Sequence, residues 1–171
     1  MTIIRAEESK DYPAVRDLNR LAFGGEVEAD LVDRLRRDGI VIASLVAVEN
    51  EEIVGHILFS ELPIETDHGY YTAASLAPMC VHPKRQRQGI GSALVRQGLE
   101  ICRKRGHTIG VVVGYPDYYP RFGFSAELAK KLHGPFSGES WMAVELKKGA
   151  LDNVEGTARY PSAFGDFEQL D

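Results

Sequence analysis

Several things are scarce in this sequence, and each scarcity excludes something. Two cysteines in 171 residues, Cys80 and Cys102, are too few for a disulfide framework and are not spaced for a metal site. Two buried thiols are the plain reading, and no metal is expected. No run of about 18 apolar residues occurs, so no membrane span is expected. The first residues, Met1-Thr-Ile-Ile-Arg-Ala-Glu-Glu8, carry no apolar signal core and lead straight into structured-looking sequence. A cytoplasmic protein with no membrane partner is the expectation. Positive charge is also short overall: the formal net charge is −5, which argues against a general nucleic-acid binder. Internal repeats and low-complexity segments are absent.

What remains is an ordinary globular composition, 44% hydrophobic and 26% charged, on a length that suits one domain. The charge is uneven. From Lys84 to Arg105 seven basic residues face one acid, Glu100, so this segment carries +6 and the remainder −11. A local basic patch on an acidic protein suits a small polyanion better than a long one.

The hydrophobic pattern predicts alternating strands and helices. Thr2 to Ala6 reads as a strand, and Ser9 to Phe23 as a helix with Pro13 in its first turn. Glu26 to Asp38 reads as a second helix, acidic at its start and basic at its end, with Gly39 as its cap. Asp30–Arg34 and Asp33–Arg37 stand at i,i+4 spacing within it. Ile40 to Glu49 and Glu52 to Glu61 form a hairpin over Asn50-Glu51. Pro63 to Gly69 is a polar loop, and Tyr70 to Val81 a long strand with a bulge or break expected at Ala77-Pro78, since proline donates nothing to a ladder. Gly89 to Arg105 is a helix and Thr108 to Val113 a buried strand. The helix between these last two strands implies a parallel, right-handed crossover. Asp117 to Phe122 makes a short helical turn, Phe124 to Leu128 an irregular or strand segment, and Ser140 to Leu146 a last strand. This gives a domain over 1–148. Residues 149–171 read as a C-terminal tail packed on it or trailing from it, anchored by Tyr160 and Phe164.

The stretch that organises the chain is Leu76 to Val95, centred on Gln86-Arg-Gln-Gly-Ile-Gly91. Gly89 and Gly91 let backbone amides approach a ligand, and the helix that follows presents unpaired N–H groups and a partial positive charge. Together they make an anion site, with phosphate the usual anion. A nucleotide P-loop would need a lysine after the glycine, and none stands there. A dinucleotide fold would need a third glycine where Leu94 stands, and an earlier place in the chain.

The segment Val81-His-Pro-Lys-Arg-Gln-Arg-Gln-Gly-Ile-Gly-Ser-Ala-Leu94 resembles the acyl-coenzyme A signature of the GNAT superfamily of N-acetyltransferases. Tyr118-Tyr-Pro-Arg-Phe-Gly-Phe124 is similar to that family's late Tyr-x-x-x-Gly-Phe, and the order β-α-α-β-β-β-α-β agrees over Thr2 to Lys147. The phrases Gly114-Tyr-Pro-Asp-Tyr-Tyr119 and Glu155 to Phe164 resemble the bacterial YhbS-like branch.

The resemblance implies an α/β (α+β) fold with a mixed central sheet splayed between its fourth and fifth strands and helices on both faces. It implies transfer of an acetyl group from acetyl-coenzyme A directly to a primary amine of a small molecule or a peptide. It places the pyrophosphate on Arg87, Gln88, Gly89, Ile90, Gly91 and Ser92, with Lys84 and Arg85 as further cations. The pantetheine arm would pair with backbone of Met79, Cys80 and Val81, and Tyr119 would be the catalytic acid for the leaving thiolate. Homodimers are common in the superfamily, which makes a homodimer the assembly expected by analogy. The general base stays open among Glu26, Glu28, His56, Glu61, Asp117 and water. A Cys80–His82 acyl-enzyme is a competing chemistry without an orienting third group. Many family members carry Asn near the end of the fifth strand, where this chain has Val113-Gly114-Tyr115-Pro116-Asp117. The alternative of another class is a non-catalytic acyl-coenzyme A-binding sensor or interaction module.

Overall fold

The computed structural model describes residues 1–165. In chain order its strands are β1 (Thr2–Ala6), β2 (Val41–Glu49), β3 (Glu52–Thr66), β4 (Gly69–Val81), β5 (Ile109–Val113), β6 (Leu132–His133), β7 (Trp141–Glu145) and β8 (Gly156–Ala158). Its helices are α1 (Tyr12–Phe23), α2 (Val27–Arg37) and α3 (Ile90–Lys104), with short 3-10 turns at Ser9–Asp11, Pro83–Arg85, Tyr119–Phe122 and Ser162–Phe164. The strands pair in the order β1-β2-β3-β4-β5-β7, and β8 pairs with β3 and β6. The β1–β2, β2–β3 and β5–β7 ladders are antiparallel and β4–β5 is parallel, so the sheet is mixed. The helical crossover through α3 has the effect expected of it. No helix among the described residues is long and apolar enough to cross a membrane.

The chain forms two compact units. One is Met1–Ser60 with Ala77–Ile101; the other is Glu61–Leu76 with Cys102–Asp171, described as far as residue 165. The units interleave along the chain, because β3, β4 and α3 each contribute residues to both.

In the first unit, Val15 and Leu18 of α1 and Ala29, Val32 and Leu35 of α2 recur at helical spacing, and all are buried. Arg16 ties the two helices together, reaching Glu26 at 2.7 Å, Asp30 at 2.8 Å and Asp33 at 2.7 Å. The expected i,i+4 pairs of α2 do not form: Asp30 turns to α1, Asp33 is shared between Arg16 and Arg36 of its own helix at 3.0 Å, and Arg34 pairs with Asp38. Each exposed pair is worth about 0–1 kcal/mol, but the cluster fixes which faces of the helices meet. Helix α3 packs closely because Gly98 has no side chain; a Cβ there would stand 2.2 Å from a ring carbon of Phe59 on β3.

The second unit has its own core, which includes Leu62, Ile64, Ile109, Trp141, Ala143 and Leu151. Strand β3 is longer than its sequence suggests, running to Thr66 through what reads as a polar loop. Pro63 has no N–H to give, and its carbonyl accepts from Arg159 N–H at 2.9 Å. The segment expected as a surface tail enters the sheet instead: Ile64 pairs with Ala158 and Glu65 with Thr157. Three residues are too few to show strand alternation in sequence. Tyr160 packs on Phe136, Trp141 and Phe164, at centroid distances of 5.3, 6.4 and 5.2 Å. The last part of the expected tail, residues 166–171, lies outside the described residues.

Candidate functional site

The glycine loop is built by local hydrogen bonds. His82 Nδ1 accepts from the Lys84 N–H at 3.1 Å and so caps the 3-10 turn. Arg85 Nε donates to Glu49 Oε1 at 2.9 Å, and Gln86 Nε2 donates to the Val81 carbonyl at 3.3 Å. Arg85, a candidate phosphate cation, is thus engaged in tying the loop to β2. The backbone then turns through Arg87 at φ +64° and Gly89 at φ +85°. Left-handed backbone favours glycine, and a Cβ at Gly89 would meet nothing within 4 Å, so the loop is open on that side. Ala93 N–H to Gly89 C=O at 3.0 Å is the first helical bond of α3, which leaves the Ile90 and Gly91 amides ahead of it without an intrahelical partner. Arg87, Gln88 and Gly89 are exposed, Gly91 and Ser92 half-buried, and Ile90 buried as the helix's foot in the core.

Strand β4 leads into this loop. Its parallel register with β5 covers Ala74↔Gly110, Ser75↔Val111 and Leu76↔Val112 and goes no further, while β4 runs on to Val81. Pro78, after a cis Ala77–Pro78 bond, stands just past the end of that ladder. The strand is not broken at the proline; what ends there is the partnership with β5. Met79 and Val81 are half-buried and Cys80 between them is buried.

Burial first, and then the negative charge of Glu28, push the Cys80 thiol up to about 12. A thiol so weakly acidic is no nucleophile, and His82 is occupied as a cap, so the acyl-enzyme alternative has no support. Glu28 itself, half-buried in the first turn of α2, has no hydrogen bond or ion pair among the described residues.

The other candidate bases divide on sight. Glu26 is held by Arg16 and by Arg20, each at 2.7 Å. Glu61 and Asp117 are exposed. His56 is wholly buried, its Nε2 3.1 Å from Glu7 and 3.0 Å from Ser44 Oγ, its Nδ1 3.3 Å from Asn19 Nδ2. Burial lowers its pKa, although the Glu7 carboxylate works the other way. Asn19 donates to Nδ1, so the proton sits on Nε2 and His56 is a neutral member of a core network that Arg36 completes through Glu7.

Tyr119, in the second unit, opens the 3-10 turn that follows β5, its N–H bonded to the Tyr115 carbonyl at 3.3 Å. Its ring is buried against Tyr118 at 5.1 Å and Phe124 at 5.8 Å, both edge-on. Its hydroxyl makes no hydrogen bond among the described residues and is not among the buried polar atoms. Burial, with small contributions from Tyr118 and Tyr115, raises the phenol to about 12, above the ordinary range. Two contacts of this arrangement leave no trace in the sequence: the Glu49 clamp on Arg85, which joins residues far apart in the chain, and the seat of the Tyr119 ring on Gly114. Among the described residues no group of three or more His, Cys, Asp or Glu is placed to hold a metal.

Residues 3–126 match the model of the acetyltransferase (GNAT) domain. The chain belongs to the GNAT acetyltransferase family. Within it, the chain is 31% identical to the N-acetyltransferase YhbS of Escherichia coli over 168 residues, 96% of this chain and 99% of that one. The crystal structure of Escherichia coli YhbS in complex with CoA superposes with a TM-score of 0.88 at 32% identity, covering 97% of this chain and 93% of the other. A GNAT acetyltransferase from Brucella melitensis, solved with acetyl-CoA, gives a TM-score of 0.81 at 31% identity, over 96% and 98% of the two chains. The GNAT fold accounts for the mixed sheet and for the parallel β4–β5 ladder.

Proposed function

We propose that this GNAT protein transfers the acetyl group of acetyl-coenzyme A to a primary amine of a small molecule or peptide. The observation that carries the reading is the early end of the β4–β5 ladder, which leaves Met79, Cys80 and Val81 running on toward a glycine turn at a helix start. The relatives solved with CoA and with acetyl-CoA support the same cofactor here.

In this reading Arg87 to Ser92 hold the pyrophosphate: Gly89 gives it access, the Ile90 and Gly91 amides donate to it, and Arg87 adds charge. Backbone of Met79 to Val81 holds the pantetheine arm as an added strand would be held, and one of its N–H groups faces the oxyanion. The amine nitrogen bonds to the acetyl carbon, the carbon–sulfur bond breaks, and the amine's proton leaves to a base. Glu28 is the candidate that fits best: it is half-buried, has no partner among the described residues, and its charge is felt at Cys80. Tyr119 returns a proton to the departing thiolate from a hydroxyl with no partner among the described residues.

The test is thiol release from acetyl-coenzyme A across a panel of amines, with coenzyme A binding measured in parallel. Turnover with at least one amine is expected. Tight coenzyme A binding with silence across a broad panel would favour a sensor; absence of coenzyme A binding would sink the reading altogether.

A further inference from the structure

Gly114 directly follows β5, and its N–H donates to the Ser140 carbonyl at 3.0 Å. Its φ is not in the left-handed region, so no backbone conformation demands glycine there. What demands it is contact. A Cβ at this position would stand 2.3 Å from Cε2 of Tyr119, 2.8 Å from Cδ2 and 3.3 Å from Cζ. The ring therefore rests on bare backbone. It has no easy way to retreat, because Tyr118, Phe124 and Phe122 pack around it at centroid distances of 5.1, 5.8 and 6.4 Å. No hydrogen bond among the described residues ties its hydroxyl down, so packing alone aims the phenol. Of the walls that aim it, Gly114 is main chain anchored in the β5–β7 register, where Val113 pairs with Trp141; the ring walls can turn about their own torsions.

We infer that Gly114 is a positioning residue: it sets where the Tyr119 hydroxyl points, and the bare backbone at the end of β5 is there to seat that ring. The inference rests on the assignment of Tyr119 as the acid. Any side chain at 114, even a methyl, trades the aimed phenol for a displaced one.

The experiment is a double-mutant cycle between Gly114→Ala and Tyr119→Phe, read in turnover and in thermal stability. The phenylalanine ring keeps the carbons that a methyl at 114 would strike, so the loss of stability should be the same in both backgrounds. Turnover should behave differently. In the wild-type background Gly114→Ala should lower kcat about tenfold with KM for acetyl-coenzyme A within about twofold, and in the Tyr119→Phe background it should cost under about twofold. A spectroscopic readout is independent of activity: the tyrosinate absorbance that Tyr119→Phe removes should titrate closer to pH 10 in Gly114→Ala than in the wild type.

Equal turnover losses in both backgrounds would overturn the positioning role, and so would wild-type kcat in Gly114→Ala. Full turnover in Tyr119→Phe would instead sink the acid assignment beneath it. If Gly114→Ala alone does not fold, Phe124→Leu gives the ring room to lean. Gly114→Ala should then lose about tenfold against the Phe124→Leu single variant, and equal turnover would overturn the inference.

Discussion

Tyr119→Phe isolates a single proton. An ordinary thiol ionises near 8.5, and Tyr119 is raised to about 12. Proton transfer to a thiolate in bulk water would then be uphill by about 3.5 units, or roughly 5 kcal/mol. Desolvation raises a thiol, as burial does Cys80 on β4, so a thiolate shielded from water is a stronger base and that gap narrows. Because a thiolate leaves readily without help, the loss should fall at the low end of general acid catalysis, about 10²-fold in kcat or roughly 2.7 kcal/mol. Affinity for acetyl-coenzyme A should hold within about twofold. Stability should hold within about 1 kcal/mol, since the hydroxyl has no partner among the described residues and the ring contacts to Phe124 and Gly114 survive. The assay is steady-state thiol release with the best amine of the panel, alongside thermal denaturation. Unchanged kcat in a folded Tyr119→Phe protein would refute the argument, and a loss confined to KM would assign the ring to binding instead.

Gly89→Glu should fold, because its Cβ would meet open space and the left-handed backbone costs only about 1–2 kcal/mol. It should abolish coenzyme A binding in calorimetry, by obstruction and by like charge; wild-type affinity would place the pyrophosphate elsewhere. Glu28→Gln should lower kcat/KM for the amine about tenfold or more at neutral pH and leave KM for acetyl-coenzyme A unchanged, and an unaltered amine profile would exclude it as the base. Stability should fall in alkali. Tyr119 and Tyr160 are raised by burial, and so are Cys80 and Cys102, each of these thiols to about 12. A folded-state pKa above the unfolded value stabilises fully below the unfolded pKa, about 8.5 for the thiols and about 10 for the phenols, and the stabilisation is lost as pH rises toward about 12. The Tm should therefore decline from about pH 9 upward; a flat Tm to pH 11 would contradict the burial of these groups.

Much of the fold is legible in the chain because the signals are local. The stripes of α1, α2 and α3, the hairpin over Asn50-Glu51 and the apolar run of β5 follow from side-chain periodicity, which tertiary contacts here reinforce. The glycine turn is equally local: Gly89 needs its left-handed φ whatever surrounds it. Other features depend on partners distant in sequence. Strand β8 exists because β3 offers an edge at Ile64 and Glu65, and a three-residue strand has no pattern of its own. Asp30 and Asp33 stand at i,i+4 spacing from Arg34 and Arg37, yet Arg16 on another helix takes Asp30 and shares Asp33 with Arg36. His56 looks in sequence like any candidate base, and only burial beside Glu7, Ser44 and Asn19 makes it a neutral core residue.

By itself the sequence determined the three helices, most of the strands, the family and the place of the glycine turn, since each is written in residues close together along the chain. Tertiary structure alone decided that the β4–β5 ladder stops at Leu76 with Val112, that Arg85 is tied to Glu49, and that the Tyr119 ring rests on Gly114. These are relations between segments, and chain folding sets such distances through packing and hydrogen bonding that no local spacing encodes.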